Sequence, residues 1–371
     1  MKKLGFGLMR LPQLDTDNYA EVDIETTKKM ADAFMENGFT YFDTAAPYHR
    51  GSSEAAFREA VVKRYPRMSY TITDKLSLFM IQKAEDMPGF FQGQLERLGL
   101  DYVDYYLLHG LGEPTYRKAE EFHAFEFVQE LKAQGKAKHI GLSFHDKAEL
   151  LDEILTKHPE MEYVQIQLNY LDWEDATVES RKCYETAAKH HKPVIVMEPV
   201  KGGSLVNIPD EAKKLFEEVR PGMSAASWAI RFAATPENIM MVLSGMSDEA
   251  QMADNISYMK DFEPLNEKEQ EAVENAARII RNSIAVPCAG CRYCIDDCPM
   301  KIAIPDYFAI YNNLKRFGAK QNMVAMTYYG NLTQSHGKAS DCLKCGKCES
   351  HCPQHLPIRK FLSDVAETLE S

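Results

Sequence analysis

The stretch TYFDTAAPYHRGSSEAAFREAVVKRYPRMSYTITDKL, residues 40–76, decides the fold. It begins with a β-rich run, TYFDTA (40–45), and ends with another, SYTITDKL (69–76). Between them, SEAAFREAVVKRY (53–65) spaces its apolar residues by three and four, the period of an amphipathic helix. Strand, helix, strand in that order is a parallel unit, and the chain repeats it. Further β-rich runs are KLGFGLM (3–9), DYYLLHG (104–110), HIGLSF (139–144), YVQIQLN (163–169), PVIVMEPV (193–200) and NIMMVLSG (238–245). The helical stretches TTKKMADAFMENG and AFEFVQELKAQGK carry glycine at or near their ends, where a left-handed cap falls. Eight strand signals alternating with helices over the first ~280 residues predict a (β/α)8 TIM barrel of the α/β class. A doubly wound open sheet is the competitor. It would need G-x-G-x-x-G after the first strand, and GFG at 5–7 is too short for that.

The rest of the chain is read against that barrel. Of 371 residues, 43 are Lys or Arg and 55 are Asp or Glu, a formal net charge of −12. With 45% hydrophobic and 26% charged residues, the composition is that of a globular protein and excludes disorder. The acidic balance points away from nucleic acid and anionic membrane as partners. No apolar run approaches the ~18–20 residues of a membrane span, and the N-terminal MKKLGFGLMRLP lacks a signal peptide's apolar stretch, so a cytoplasmic location is expected. Eight of the nine cysteines fall after residue 287, which reads as metal or redox chemistry and not as a disulfide scaffold. The ninth, Cys183, reads as a packed thiol. Residues 284–371 hold 10 basic and 8 acidic residues, while the remainder is strongly acidic. A boundary is therefore placed after residue 283, giving a barrel over 1–283 and a small, mainly α-helical domain over 284–371.

Barrel chemistry gathers at the C-terminal ends of the strands. Those ends offer Asp43, Lys75 and His109, with Tyr48 five residues beyond Asp43. A free tyrosine, with a pKa of ~10, is a poor acid at neutral pH. A neighbouring lysine lowers that pKa, and an aspartate holds the lysine. A neutral histidine hydrogen-bonds a carbonyl oxygen while the tyrosine protonates it. Singly, each residue reads as a loop cap or a solvated charge; the set at successive strand ends reads as catalytic.

On GFGLMRLP (5–12), FDTAAPYHRGSSE (42–54), TITDKL (71–76), YYLLHG (105–110), IGLSFHD (140–146), VQIQLNY (164–170), VMEPVKGG (196–203) and LSGMSDEAQMADNI (243–256), the chain resembles the aldo/keto reductase family. The resemblance implies a tetrad of Asp43, Tyr48, Lys75 and His109. It implies NADP(H) extended across the strand ends, with NAD(H) left open, and reversible hydride transfer with a small aldehyde or ketone. Cofactor contacts implied in the same way are Met9, Ser143, Gln165, Met197, Lys201, Gly202, Ser247, Gln251 and Asn255. Two positions depart from the family. Phe144 stands where asparagine is usual, and Met197 replaces an aromatic that stacks on the nicotinamide, although a thioether can also cover a ring face. The basic residues that hold a 2′-phosphate are absent from the 243–256 run.

CAGCRYCIDDCP (288–299) and CLKCGKCESHCP (342–353) both follow C-x2-C-x2-C-x3-C-P, the bacterial run for [4Fe–4S] clusters, whose fourth cysteine ligates the other cluster. The expectation is two clusters. Cys288, Cys291, Cys294 and Cys352 hold one, and Cys342, Cys345, Cys348 and Cys298 hold the other. Zinc is the competing assignment, but it pairs C-x2-C knuckles and leaves a regular third cysteine unexplained. PDYFAIYNNLKRFG and QNMVAMTYYG between the runs read as helices, so the domain resembles α-helical dicluster ferredoxins. The sequence thus reads as an iron–sulfur aldo/keto reductase, with clusters for electron transfer, redox sensing or structure and an electron-carrier protein as a further partner. The alternatives are a ferredoxin-linked oxidoreductase with a flavin or radical step, and a nucleotide-binding regulatory module.

Overall fold

A computed structural model describes residues 2–370 apart from 16, 17, 19, 176, 177, 283, 284, 289, 291, 293, 296, 318–321, 353 and 354; at 317, 322–324, 327 and 331 it describes the backbone alone. The chain separates into two compact units, Met1–Val206 with Phe216–Val273, and Asn207–Leu215 with Glu274–Ser371.

In the first unit eight strands close a parallel barrel in sequence order: β1 (Leu4–Gly7), β2 (Tyr41–Asp43), β3 (Thr71–Leu76), β4 (Val103–Leu111), β5 (Ala137–Phe144), β6 (Tyr163–Gln167), β7 (Val194–Met197) and β8 (Ile239–Ser244). All eight β-rich runs of the sequence supply one strand each. The outer strand faces and the surrounding helices share one buried core, in which Phe34, Phe42 and Phe57 contact one another through Phe42. Inside the barrel Tyr41, Leu107, Tyr163, Ile195, Met241 and Leu243 form a second, separate cluster. The lumen is therefore filled, not open, as barrels of this size require. Two glycines permit it. A Cβ on Gly5 would lie 2.8 Å from Leu243 and 3.2 Å from Tyr41, and one on Gly141 would lie 2.7 Å from the Tyr163 ring.

One expected helix is modified. Ser53–Phe57 is α-helical, but Arg58–Val62 widens into a π-turn, closed by Lys63 N–H donating to the Arg58 carbonyl at 3.0 Å. In the second unit, helices Ile304–Phe317, Asn322–Leu332 and Ile358–Leu369 surround a small core of Ile302, Tyr307, Phe308, Leu362 and Val365. The Tyr307 hydroxyl donates to the Gly337 carbonyl at 2.8 Å, and Tyr329 donates to Glu370. Among the described residues no helix is long and apolar enough to cross a membrane.

Candidate active site

Strand alternation builds the site. Residues two apart on a strand share a face. Two residues beyond the lumen-filling Tyr41, Leu107, Tyr163 and Ile195 come Asp43, His109, Gln165 and Met197. Thr73 belongs to the same inward layer, its hydroxyl donating to the Tyr41 oxygen at 2.5 Å, and Lys75 lies two residues on. Gly141 is likewise followed by Ser143. The layer above the apolar plug is thus a ring of polar and sulfur-bearing side chains at the C-terminal end of the barrel.

Lys75 is the centre of this ring. Fully buried, it donates from Nζ to Asp43 Oδ1 at 2.5 Å and to the Thr44 carbonyl at 2.7 Å, and lies 4.8 Å from the centre of the Tyr48 ring. Burial alone would lower the lysine pKa, but Asp43 and Tyr48 turn the net shift upward, so Lys75 is a cation at neutral pH. Tyr48 corrects one expectation. Burial pushes its phenol above the ordinary value, and Lys75, pulling the other way, does not fully offset it. The phenol is therefore held protonated, with Lys75 as the largest force limiting its rise.

The turn that presents Tyr48 is fixed by its neighbours. His49 and Arg50 follow in left-handed conformations, φ 49° and 52°, which cost non-glycine residues energy. The buried His49 ring offsets that cost by accepting the Leu11 N–H on Nε2 at 3.0 Å. The Thr44 and Ser53 hydroxyls, 2.8 Å apart, tie the start of the turn to the following helix.

His109 sits with its ring centre 6.0 Å from that of Tyr48, nearly perpendicular to it. Burial, then the Lys75 charge, pushes its pKa well below the ordinary histidine value, so the ring is neutral at pH 7. Nδ1 lies 2.7 Å from the Ser77 hydroxyl. When Ser77 donates to Nδ1, Nε2 carries the proton and is the donor left for a ligand. The strand register between β4 and β5 shifts directly after this point, at Leu108/Leu111, with Gly110 at φ 69°. Ser143 Oγ accepts the Gly110 N–H at 2.7 Å and braces that bulge. Ser77 and the bracing role of Ser143 escape a reading of the sequence, because both depend on cross-strand partners.

The remaining predicted cofactor residues lie along the strand ends and the loops after them. Gln165 is buried, its Nε2 lies 3.7 Å from Met197 Sδ, and its Oε1 has no hydrogen-bond partner. Asn255, in helix Glu249–Met259, donates Nδ2 to the Gln251 carbonyl at 3.0 Å and leaves its buried Oδ1 unpaired. Orphaned buried oxygens are costly, and a ligand with amide or amino donors would satisfy them. The residues present therefore fit a nicotinamide dinucleotide. Gln251 Oε1 accepts the Ser247 N–H at 3.0 Å. Lys201 donates to both oxygens of the buried Asp172 at 2.7 and 3.0 Å, and Asp172 also accepts from Gln167 and Asn169 at 2.8 Å each. Gly202 and Gly203 follow with φ 62° and 91°. Met9 is exposed. Phe144 is buried, while Asp172 is a further residue the sequence left unnoticed.

In the second unit Cys298 from the first run and Cys342, Cys345 and Cys348 from the second line one cavity, although 43 residues separate Cys298 from Cys342 in the chain. Four thiols around one space form a soft donor set of the kind that holds iron–sulfur clusters. Of the other four, Cys294 is buried, Cys288 and Cys352 are half-buried, and Cys291 lies outside the described residues. His351 does not join them; its Nε2 pairs with Asp297 at 2.9 Å. Cys183 is a buried thiol whose pKa burial pushes up to about 12, far from reactive.

A closed parallel barrel carrying this ring at its C-terminal end is a TIM barrel with polar side chains where barrel chemistry gathers. Residues 3–278 match the profile of the aldo/keto reductase family, and the chain belongs to that family, whose members act on small carbonyl compounds. Residues 287–356 match the 4Fe-4S dicluster domain. An aldo-keto reductase of Mycobacterium avium is 25% identical over 272 residues, covering 71% of this chain and 86% of the relative. One of Mycolicibacterium paratuberculosis is 26% identical with the same coverage. Among solved structures, a Bacillus halodurans aldo-keto reductase in its holo form superposes with a TM-score of 0.59 at 24% identity, over 74% of this chain and 91% of that one. A Klebsiella pneumoniae aldo-keto reductase solved with NADPH gives 0.58 at 18%, over 74% and 90%. At these identities the structural likeness concerns the fold.

Proposed function

We propose that the protein is a cytoplasmic NADP(H)-dependent aldo/keto reductase that interconverts a small aldehyde or ketone with its alcohol, and that residues 284–371 form a domain holding two [4Fe–4S] clusters. The observation that carries this is the fully buried Lys75 ammonium, 2.5 Å from Asp43 and against the face of Tyr48. Bound NADP(H) supplies or accepts the hydride. Tyr48 gives its phenolic proton to the carbonyl oxygen as negative charge develops there. Lys75 stabilises the phenolate left behind, and Asp43 keeps Lys75 charged and in place. Neutral His109, its tautomer set by Ser77, orients the same oxygen through Nε2–H. Gln165, Asn255, Ser247, Gln251, Ser143, Met9 and Met197 hold the dinucleotide, with Lys201 and Gly202 on its phosphates. NAD(H) remains the alternative, since no basic residue occupies the 243–256 run.

The cluster thiolates are assigned as Cys288, Cys291, Cys294 and Cys352 for one cluster and Cys298, Cys342, Cys345 and Cys348 for the other; the cavity shared by the latter four supports the second set. The clusters supply one-electron transfer, and an electron-carrier protein is the partner that chemistry calls for. Tyr48→Phe tests the catalytic assignment. Carbonyl reduction falls by about 10²–10⁴-fold while NADPH binding, read by fluorescence titration, is unchanged. Turnover within a few-fold of the parent would remove Tyr48 from its role.

A further inference from the structure

The loop bearing Cys342, Cys345 and Cys348 differs from the rest of its unit in how it meets solvent. Cys348 is buried and Cys342 half-buried, but Cys345 is exposed, and Leu343 beside it stands 63% exposed. Lys344 and Gly346 take left-handed φ of 55° and 79°, so the chain turns sharply on both sides of Cys345. Lys344 and Lys347 are exposed, and so is Lys301, which follows the cavity-lining Met300. Among the described residues none of these three lysines makes an ion pair. Arg292 is matched by Asp306, Arg359 by Glu349, and Lys360 by Asp364, whereas Lys315 and Lys338, elsewhere in the unit, likewise make no ion pair among the described residues.

Lys344 and Lys347 flank an exposed leucine and an exposed cysteine on this loop, and Lys301 follows the cavity-lining Met300, a concentration of cations in a chain of net charge −12. A small apolar centre with a charged rim is the anatomy of a transient redox interface. Electron tunnelling weakens steeply with distance, so a protein donor must approach a solvent-facing ligand closely. Positive charge around that ligand attracts an acidic donor, raises its encounter rate and repels both a basic donor and the same face of a second copy.

We propose that this loop, with Lys301, Lys344 and Lys347 around Leu343 and Cys345, is the docking face for an acidic one-electron carrier protein. The carrier is oxidised by one electron and the cluster of Cys298, Cys342, Cys345 and Cys348 is reduced by one, from the 2+ to the 1+ core, with no bond made or broken. The proposal rests on the cluster reading given above.

The test uses the full-length, iron-loaded protein without oxygen. Electron paramagnetic resonance after dithionite reduction is recorded first; absence of a [4Fe–4S]⁺ signal overturns the cluster reading and the proposal with it. Reduced, acidic plant-type [2Fe–2S] ferredoxin is then mixed by stopped flow with the parent, with K301E/K344E/K347E, and with K83E/K260E/K268E. The last makes the same charge change at exposed lysines of the barrel. Calorimetric titration with oxidised ferredoxin reads binding independently of electron transfer. In the parent, the bimolecular rate falls as salt rises. The loop variant loses about tenfold or more in rate at low salt, weakens in the titration and keeps its dithionite-reduced signal, while the barrel variant stays within about twofold. Equal losses in the two variants, or a parent rate that salt leaves unchanged, would overturn the proposal.

Discussion

The barrel and the cysteine-rich unit solve the problem of a stable interior in different ways. The barrel fills its lumen with Tyr41, Leu107, Tyr163, Ile195, Met241 and Leu243 and wraps its strands in a second apolar core. It then places Asp43 and Lys75, a fully desolvated ion pair, on top of the plug. Burying such charges costs several kcal/mol per ion unless they are paired and hydrogen-bonded, so the surrounding core must already be stable. The second unit has a small core beside eight cysteines. Those cysteine thiols offer a soft donor set through which a bound iron–sulfur cluster would cross-link the unit. The contrast leads to an expectation: packing alone holds the barrel, whereas the second unit needs its bound clusters as well as its own core.

Removing iron tests that contrast with the largest effect. Ligand binding is part of folding when no site exists in the unfolded chain. Chelation under anaerobic conditions is expected to abolish hydrogen-exchange protection across Ile304–Phe317 and Ile358–Leu369. Trp173 and Trp228 both lie in the barrel unit, so their fluorescence reports the barrel alone, and it stays native. Protected C-terminal helices in the iron-free protein would mean that packing, not ligation, holds that unit.

A smaller effect sharpens the barrel side. Burial alone would raise the Glu269 pKa, but hydrogen bonds from Arg231, the Asn266 backbone and Arg220 hold it at about 2. Its unfolded value is ~4.3, so the stability it contributes is complete above that pH and is lost as pH falls toward 2. Glu269→Gln also leaves Arg231 buried without its carboxylate. Barrel stability at pH 7, from denaturant unfolding read by tryptophan fluorescence, is expected to drop by about 3–5 kcal/mol, with a flatter decline below pH 4.5. An unchanged acid profile would show that Glu269 is not the group responsible.

Lys75→Met shifts a pH limb. Lys75 lowers the Tyr48 pKa against burial, so its removal raises that pKa further. Reduction uses the protonated phenol, and its alkaline decline therefore moves to higher pH. His109, neutral in this environment, adds no titration near pH 7. A decline at the parent's pH would break the Lys75–Tyr48 pairing.

Most of the barrel was legible in the sequence because strand residues are β-branched or aromatic and helices carry the three- and four-residue spacing. The strand-end positions of Asp43, Lys75 and His109 were legible for the same reason, since a strand's last inward positions follow from its alternation, whereas Tyr48 lies on the turn after β2. What was hidden depends on partners far away in the chain. The bulge at Gly110 is braced by Ser143 from the next strand, and the His109 ring is held by Ser77 at Nδ1. The π-turn at Arg58–Val62 interrupts a pattern that reads as unbroken helix. The direction of the Tyr48 shift also escaped, because sequence shows the lysine's charge but not how far the phenol is desolvated.

The two regions differ finally in the electrons they handle: the barrel is assigned a two-electron hydride, the thiolate unit single electrons. One measurement decides whether carbonyl chemistry belongs to the barrel. The iron-loaded full-length protein is given NADPH carrying deuterium at the transferable C4 position and an aldehyde in a single anaerobic turnover, and the alcohol is analysed by mass spectrometry. Direct transfer at the barrel mouth places one deuterium on the former carbonyl carbon of each alcohol molecule. Alcohol without the label would mean that electrons reached the carbonyl singly, with hydrogen from solvent, and would contradict the account.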